Sequence, residues 1–442
     1  MRYCEIRESA NKKLEKEVVD LLHSASNPGV ISKAVEFLRN KIKKKPQDPK
    51  ITPGQNPQKT NTNNSDVQTD KEPVKENFNT LKQEAMTLVN QVADEKDLQA
   101  LLSFLRKNEI FELSHAAIEA NISQGVKGNL EKKLGQLILD LNAPFEDKEE
   151  FLKHLSSGEG FFDGNSIVTE KTGNIYNKLT GNVARQISKP IALELRGKMG
   201  YGPDQGPGEF LLALTGKGVD LADKSDLILV NGKGVEVKAD GTSINAKGQK
   251  NRSGGRLYAT SGYNGGTGAR QYIHRILMKA GLPQEAFDEF GWNGREAGKK
   301  YKSLNFNKIG FDNFNLLIDQ YKDKVDADIK TKFLEAMAKG FYPDMPENLG
   351  KDFIANSIDK QGNVDYATTM REFVAMGHAY YKAKEGHDYI MIFNTDNGNY
   401  VTIDTADDMK KALEKGVLKT SGGMDFFDDR SKGTPQLLTG NI

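Results

Sequence analysis

Apolar and polar positions follow two different periods along this chain, and the change of period divides it. In "EKEVVDLLHSA" and "ISKAVEFLRNKIKKK" apolar residues recur at steps of three and four: Val18, Leu21 and Leu22, then Ile31, Val35, Leu38 and Ile42. That spacing lines one face of a helix, and Asn27-Pro28-Gly29 supplies the turn between. Residues 1–45 are therefore predicted as a helical N-terminal segment. The same period returns in "TLKQEAMTLVNQVA", "EKDLQALLSFLRKN", "ELSHAAIEANI" and "NLEKKLGQLILDLN", which predicts a small antiparallel helical bundle over 80–155. Between the two, residues 46–79 have many Pro, Gln, Asn and Thr and almost no large apolar side chain. Such a stretch cannot offset its chain entropy by burial, and a disordered linker is expected.

Beyond Ser156 the pattern mixes helix and strand, with more glycine. "GNVARQISKPIALELRGKMG" reads as a helix ending near Gly200, followed by "GPGEFLLALTG", a short "GVDLA" and the hairpin "SDLILVNGKGVEVKADGTS". A glycine-rich basic loop leads into the helix "ARQYIHRILMKAG". A mostly helical insertion is expected over 284–385. "HDYIMIFNTDNGNYVTIDT" reads as two strands around a turn, and "ADDMKKALEKG" as a helix. The α/β domain is placed at 156–420, with a loose C-terminal tail over 421–442.

Composition narrows the class of protein. Apolar content of 37% and charged content of 28% fit a globular chain carrying a disordered portion. The net charge of +1 gives no global field towards nucleic acid or membrane, so any such attraction must be local. A single cysteine, Cys4, excludes an internal disulfide and a Cys/His metal knuckle. "MRYCEIRESANKK" lacks an apolar signal core, and the densest apolar run, "YIMIF" at Tyr389–Phe393, is only strand-sized. A soluble cytoplasmic protein without a membrane partner is expected.

The hairpin carries the chemistry. Val235, Val237 and Ala239 share one face of its second strand, Glu236 and Lys238 the other. Asp226 opens the first strand, and Glu209 follows Gly206-Pro207-Gly208, where Pro can start a helix. A simple loop pairing Val230 with Val235 would set Asp226 across from Ala239, on the wrong face. A one-residue bulge at Gly232 or Gly234 would bring it to the Glu236/Lys238 face. If they converge, Glu209, Asp226 and Glu236 form a hard-oxygen cage suited to Mg²⁺, with Mn²⁺ as substitute. Lys238 beside it would orient a water and stabilise charge on a reacting phosphodiester. The alternative is a hairpin whose polar face is merely solvated.

This order of helix glutamate, strand aspartate and Glu-x-Lys resembles the PD-(D/E)xK nuclease superfamily over about Ser156–Thr405, with the helical insertion interrupting it. The resemblance implies an α/β, restriction-endonuclease-like core, a mixed sheet flanked by helices. Its helix, three-strand meander, second helix and fourth strand would map to Pro207–Leu214; to Gly218–Ala222, Asp226–Val230 and Val235–Ala239; to Ala269–Gly281; and to Tyr389–Asn394. It makes Glu209, Asp226, Glu236 and Lys238 the catalytic set, with the three carboxylates as metal ligands. Ser225 stands where the family pattern has Pro.

The following segment points to DNA as partner. From Gly241 to Gln284 there is no Asp or Glu, although acids make up 61 of 442 residues. The same stretch holds Lys247, Lys250, Arg252, Arg256, Arg270, Arg275 and Lys279. Its glycines would let backbone approach phosphates, and Tyr258 could stack on a base or sugar. A flexible solvated loop is the plainer alternative. "GYNGGTGAR" lacks the Gly-Lys-Ser/Thr of an NTPase loop, and "DKQGNVDYATTM" lacks the central Gly and final Glu of a calcium loop. The expectation is a Mg²⁺-dependent deoxyribonuclease, a phosphodiester hydrolase such as an endonuclease. "MRYCEIRE" and "TPQLLTGNI" also resemble termini of tailed-phage proteins. A phage virion or assembly protein that keeps the fold for binding, with its N-terminal helices on phage structural proteins, is thus the second expectation. A small-RNA or structured-DNA processing enzyme is the third.

Overall fold

The three-and-four period becomes helix wherever the structure describes it. The computed structural model describes residues 2–43, 78–92, 94–123, 126–127, 129–195, 197–199, 204–222, 224–240, 255, 257, 269–289, 305–306, 308–421, 424–425 and 435–440. The chain divides into two compact units, Met1–Glu112 and Leu113–Ile442. Most of the expected linker over 46–79 lies outside the described residues.

In the first unit, helices Arg2–Ser24, Pro28–Lys43 and Phe78–Val89 pack together. Val18, Leu21, Leu22, Ile31, Val35 and Leu38 are buried as the period requires, with Leu81, Ala85 and Val89 joining them. Each fully buried Leu or Val contributes about 1.5–3 kcal/mol. The side chain of Asn27 accepts from the Gly29 N–H at 2.9 Å, capping the helix that Pro28 begins. Lys41 of the expected basic tail is paired with Asp97 at 2.6 Å.

The bundle expected over 80–155 is not one body. "EKDLQALLSFLRKN" and "ELSHAAIEANI" are a single helix, Glu95–Asn121, because no Gly or Pro interrupts them. Helices Leu130–Asp140 and Phe145–Ser156 fall in the second unit, where they pack against helix Asn182–Glu194. An amphipathic stripe states that a face will be covered and leaves the partner open.

The second unit is mixed α/β around a six-stranded sheet. Its strands are β1 (Thr172–Asn174), β2 (Val219–Leu221), β3 (Leu227–Leu229), β4 (Gly234–Ala239), β5 (Tyr389–Phe393) and β6 (Asn399–Ile403), in the order β1-β6-β5-β4-β3-β2. β4 and β5 run parallel, with Glu236 beside Ile390 and Lys238 beside Ile392; the other neighbours are antiparallel. Asp388 holds that parallel register. Its carboxylate accepts from the Gly234 N–H at 2.9 Å and pairs with Lys233 at 2.8 Å.

Alternation along the strands sorts the two faces. Ile390, Ile392, Val401 and Ile403 form one, covered by helices Tyr366–Glu385 and Ala406–Glu414 through Val374, Ala375, Tyr381, Met409 and Ala412. Phe393 lies on the other, against Gly208 at the start of helix Pro207–Thr215. That helix buries Phe210, Leu211, Leu212, Ala213 and Leu214, and helix Asn182–Glu194 packs on it.

Two expectations change here. The helix that covers the sheet after the hairpin is Tyr366–Glu385, not Ala269–Lys279. The latter packs through Ile273 and Leu277 into a second apolar cluster, with Phe314, Phe333, Phe341 and Phe353 of the insertion. Helix Tyr366–Glu385 is apolar on both sides, since Phe373, Met376 and Tyr380 join that second cluster. The C-terminal tail is also not wholly loose. Gln436–Thr439 pairs antiparallel with Leu418–Ser421, and Leu437 is buried. Asp240, directly after β4, accepts from the Thr439 N–H at 2.5 Å and from its hydroxyl at 2.8 Å. No described helix is long and apolar enough to cross a membrane.

Candidate active site

Gly232 sets the register that the site depends on. Its φ of +79° is the left-handed region that glycine occupies at no steric cost. The Gly232 N–H donates to the Leu229 carbonyl at 2.8 Å, and the Leu229 N–H to the Lys233 carbonyl at 2.9 Å. Val230, Asn231 and Gly232 thus make a three-residue loop of the bulged kind. β3 and β4 pair Leu227 with Val235 and Ile228 with Gly234. One step further along that register, Asp226 stands across from Glu236. The bulge expected at Gly232 or Gly234 is at Gly232, and Asp226 is not opposite Ala239.

Past the last ladder pair, the Asp226 side chain replaces the backbone as acceptor, and its Oδ2 takes the Val237 N–H at 2.7 Å. On the same face, the Lys238 ammonium donates to Glu236 Oε1 at 2.5 Å. Glu236 is buried at 8% exposure, although it is charged and lies in mid-strand. Glu209 sits at the third position of helix Pro207–Thr215, and its Oε2 accepts from the Gly206 N–H, one half of a capping box. A Cβ on residue 206 would lie 2.6 Å from Glu209 Oε1, so glycine is what allows this close return.

The four groups interact strongly. Burial pushes the Asp226 carboxyl up to about 7, the Glu236 charge adds to the rise, and Lys238 and the Val237 N–H oppose it. Glu209 is raised well above the carboxylate range, by burial first and then by Asp226, with Glu236 adding. Burial alone would lower Lys238, but Glu236, Tyr381 and Asp226 outweigh it and hold the ammonium protonated. A largely enclosed cluster of three carboxylates and one ammonium, with only Glu236 buried, favours a further cation.

The carboxylates nevertheless do not close into a cage. Among the described residues no group of three or more His, Cys, Asp or Glu meets metal-holding geometry. The expectation that Glu209, Asp226 and Glu236 meet within metal-bridging reach is therefore corrected: they share an electrostatic site but each has turned to a donor of the protein. Asp226 takes the Val237 N–H, Glu209 the Gly206 N–H, and Glu236 the Lys238 ammonium and the Tyr381 hydroxyl. One oxygen of each is engaged in this way. Asp226 Oδ1, Glu236 Oε2 and Glu209 Oε1 accept no hydrogen bond among the described residues. Carboxylate oxygens of this kind are the ligand type that a hard divalent cation takes.

Two residues at the site carried no sequence signal. The Tyr381 hydroxyl donates to Glu236 Oε1 at 2.9 Å, and Lys238 Nζ lies 5.1 Å from the centre of its ring. His387 is buried with its ring 5.3 Å from that of Tyr381, and burial holds it neutral by lowering its pKa. Tyr381 is 145 residues from Glu236 in the chain, inside a stretch that reads as any buried helix.

Of the expected nucleic-acid contacts, Lys247, Lys250, Arg252, Arg256 and Tyr258 lie outside the described residues, as does the side chain of Arg270. Arg275 is exposed on helix Ala269–Lys279, its guanidinium 5.6 Å from the Tyr272 ring centre. Two residues within the basic loop are described, and both are bonded. The Gly255 carbonyl accepts from the Leu437 N–H at 2.9 Å, and the Leu257 carbonyl from the Tyr342 hydroxyl at 3.0 Å. No family model, no curated protein and no solved structure matches the chain.

Proposed function

We propose that the second unit is a restriction-endonuclease-like domain that hydrolyses DNA phosphodiesters with Mg²⁺ or Mn²⁺. The observation that carries this is the Gly232 bulge, which sets Asp226 opposite Glu236 and beside Lys238. The order of elements supports it too: helix Pro207–Thr215, the antiparallel β2–β3–β4 meander, helix Tyr366–Glu385, and β5 parallel to β4.

In this reading Asp226, Glu236 and Glu209 would hold the cation through the oxygens that accept no internal hydrogen bond among the described residues. The chemistry a bound divalent ion would supply there is neutralisation of the phosphodiester and acidification of a water. Lys238, kept protonated by Glu236, orients that water and stabilises the charge that grows on the phosphorus oxygens. Basic residues of the loop after β4 bind neighbouring phosphates without reading sequence. Supercoiled plasmid nicked with Mg²⁺, untouched with EDTA and untouched by Lys238→Ala supports the proposal. Tight DNA binding with no cutting in any divalent metal overturns it and favours a phage virion or assembly role.

A further inference from the structure

Glu236 and Lys238 stand at positions i and i+2 of one strand, so the sheet alone puts them on one face without choosing their rotamers. Tyr381 makes that choice. Its hydroxyl and the Lys238 ammonium converge on the same oxygen, Glu236 Oε1, at 2.9 and 2.5 Å. Both internal donors are thereby spent on one side of the carboxylate, and Oε2 is left for an external partner. The ring does a second thing: it lies under the Lys238 ammonium at 5.1 Å, within reach of a cation–π attraction. Tyr381 is itself fixed, only 6% exposed and packed with Ile390 and Ile392 on the sheet.

We propose that Tyr381 is a positioning residue that orients Glu236 and Lys238 for cation and phosphate, and that helix Tyr366–Glu385 couples the helical insertion to the site. This rests on the nuclease reading above. The next residue, Tyr380, packs into the insertion's apolar cluster with its ring centre 5.0 Å from that of Tyr342. Tyr342 in turn donates to the carbonyl of Leu257, within the basic loop. One helix thus carries, on neighbouring residues, the support of the candidate catalytic strand and of the loop that follows it. A tyrosine that merely fills space would keep its effect when only the hydroxyl is removed, and that separates the two roles.

Tyr381→Phe, which keeps the ring and its packing, and Tyr381→Ala, which opens a cavity, each confirmed folded at the assay temperature, test this in the full chain. The first measurement is substrate-free: the rate at which an amine-acylating reagent labels Lys238, read by peptide mass spectrometry. Tyr381→Phe is expected to raise it several-fold and Tyr381→Ala further. The second is Mn²⁺ affinity by calorimetry, expected to weaken several-fold in Tyr381→Phe. The third is plasmid nicking, expected to lose about tenfold in kcat with KM for DNA unchanged. If Tyr381→Phe labels and binds Mn²⁺ as the wild type does, the positioning role is overturned whatever the nicking shows. If labelling and Mn²⁺ binding change but wild-type protein never cuts, Tyr381 still orients the pair and the nuclease reading is what fails.

Discussion

Asp226 makes the site measurable without a substrate. Its carboxyl is pushed from an ordinary 3.8 up to about 7, by burial first and by Glu236 second. Across that window the folded protein keeps a proton that the unfolded chain has released. Stability from this group is fully present below about pH 4 and is lost as the pH rises through about 7. At about 1.4 kcal/mol per tenfold, the whole interval sets a ceiling of about 4 kcal/mol, of which under about 3 kcal/mol falls between pH 5 and pH 8, and sharing of protons among the coupled carboxylates brings the expectation for that comparison to about 1–3 kcal/mol. Asp226→Asn removes the titration and keeps an acceptor for the Val237 N–H. Urea unfolding at pH 5 and pH 8 without divalent metal, followed by hydrogen exchange at the Ile390–Phe393 amides, gives the comparison. Wild-type protein should lose this stability at pH 8, and Asp226→Asn should hold it. Saturating Mg²⁺ at pH 8 should restore the wild type, by about 2.7 kcal/mol at a hundred times Kd, and leave the variant little changed. An identical pH dependence in the two proteins would refute the argument, because Asp226 would then not be a strained carboxyl of the folded state.

Further outcomes are expected. Lys238→Ala should abolish nicking while DNA affinity stays nearly intact, whereas Arg252→Ala with Arg256→Ala should weaken binding to all sequences and flatten its salt slope by about one to two; cutting that survives Lys238→Ala would move the chemistry elsewhere. Gly232→Val should cost about 1–2 kcal/mol from backbone strain alone, since nothing lies within 4 Å of a Cβ at this position, and should lower activity by loosening the register; denaturant midpoint and nicking rate check both. A general protease should cut first between Pro46 and Asn79 and release a folded C-terminal fragment; protection of that stretch would show contacts that its composition does not suggest.

Local physics was legible in the residues themselves. The stripes Val18-Leu21-Leu22 and Ile31-Val35-Leu38 announced buried helix faces, because a 3.6-residue period has one structural meaning. Strand alternation set Glu236 and Lys238 on one face and Val235 and Val237 on the other, and glycines at 232 and 234 marked where a bulge could form. What the tertiary structure alone decided is pairing. It chose Gly232 for the bulge and so put Asp226 across from Glu236. It laid Tyr366–Glu385 on the sheet and sent Ala269–Lys279 into the insertion, although both read as amphipathic helices. It brought Tyr381 to Glu236 and bound Asp240 to Thr439 across 199 residues. A side chain's period reports only which way it points. Which partner meets it depends on contacts between distant segments, and no local pattern encodes them.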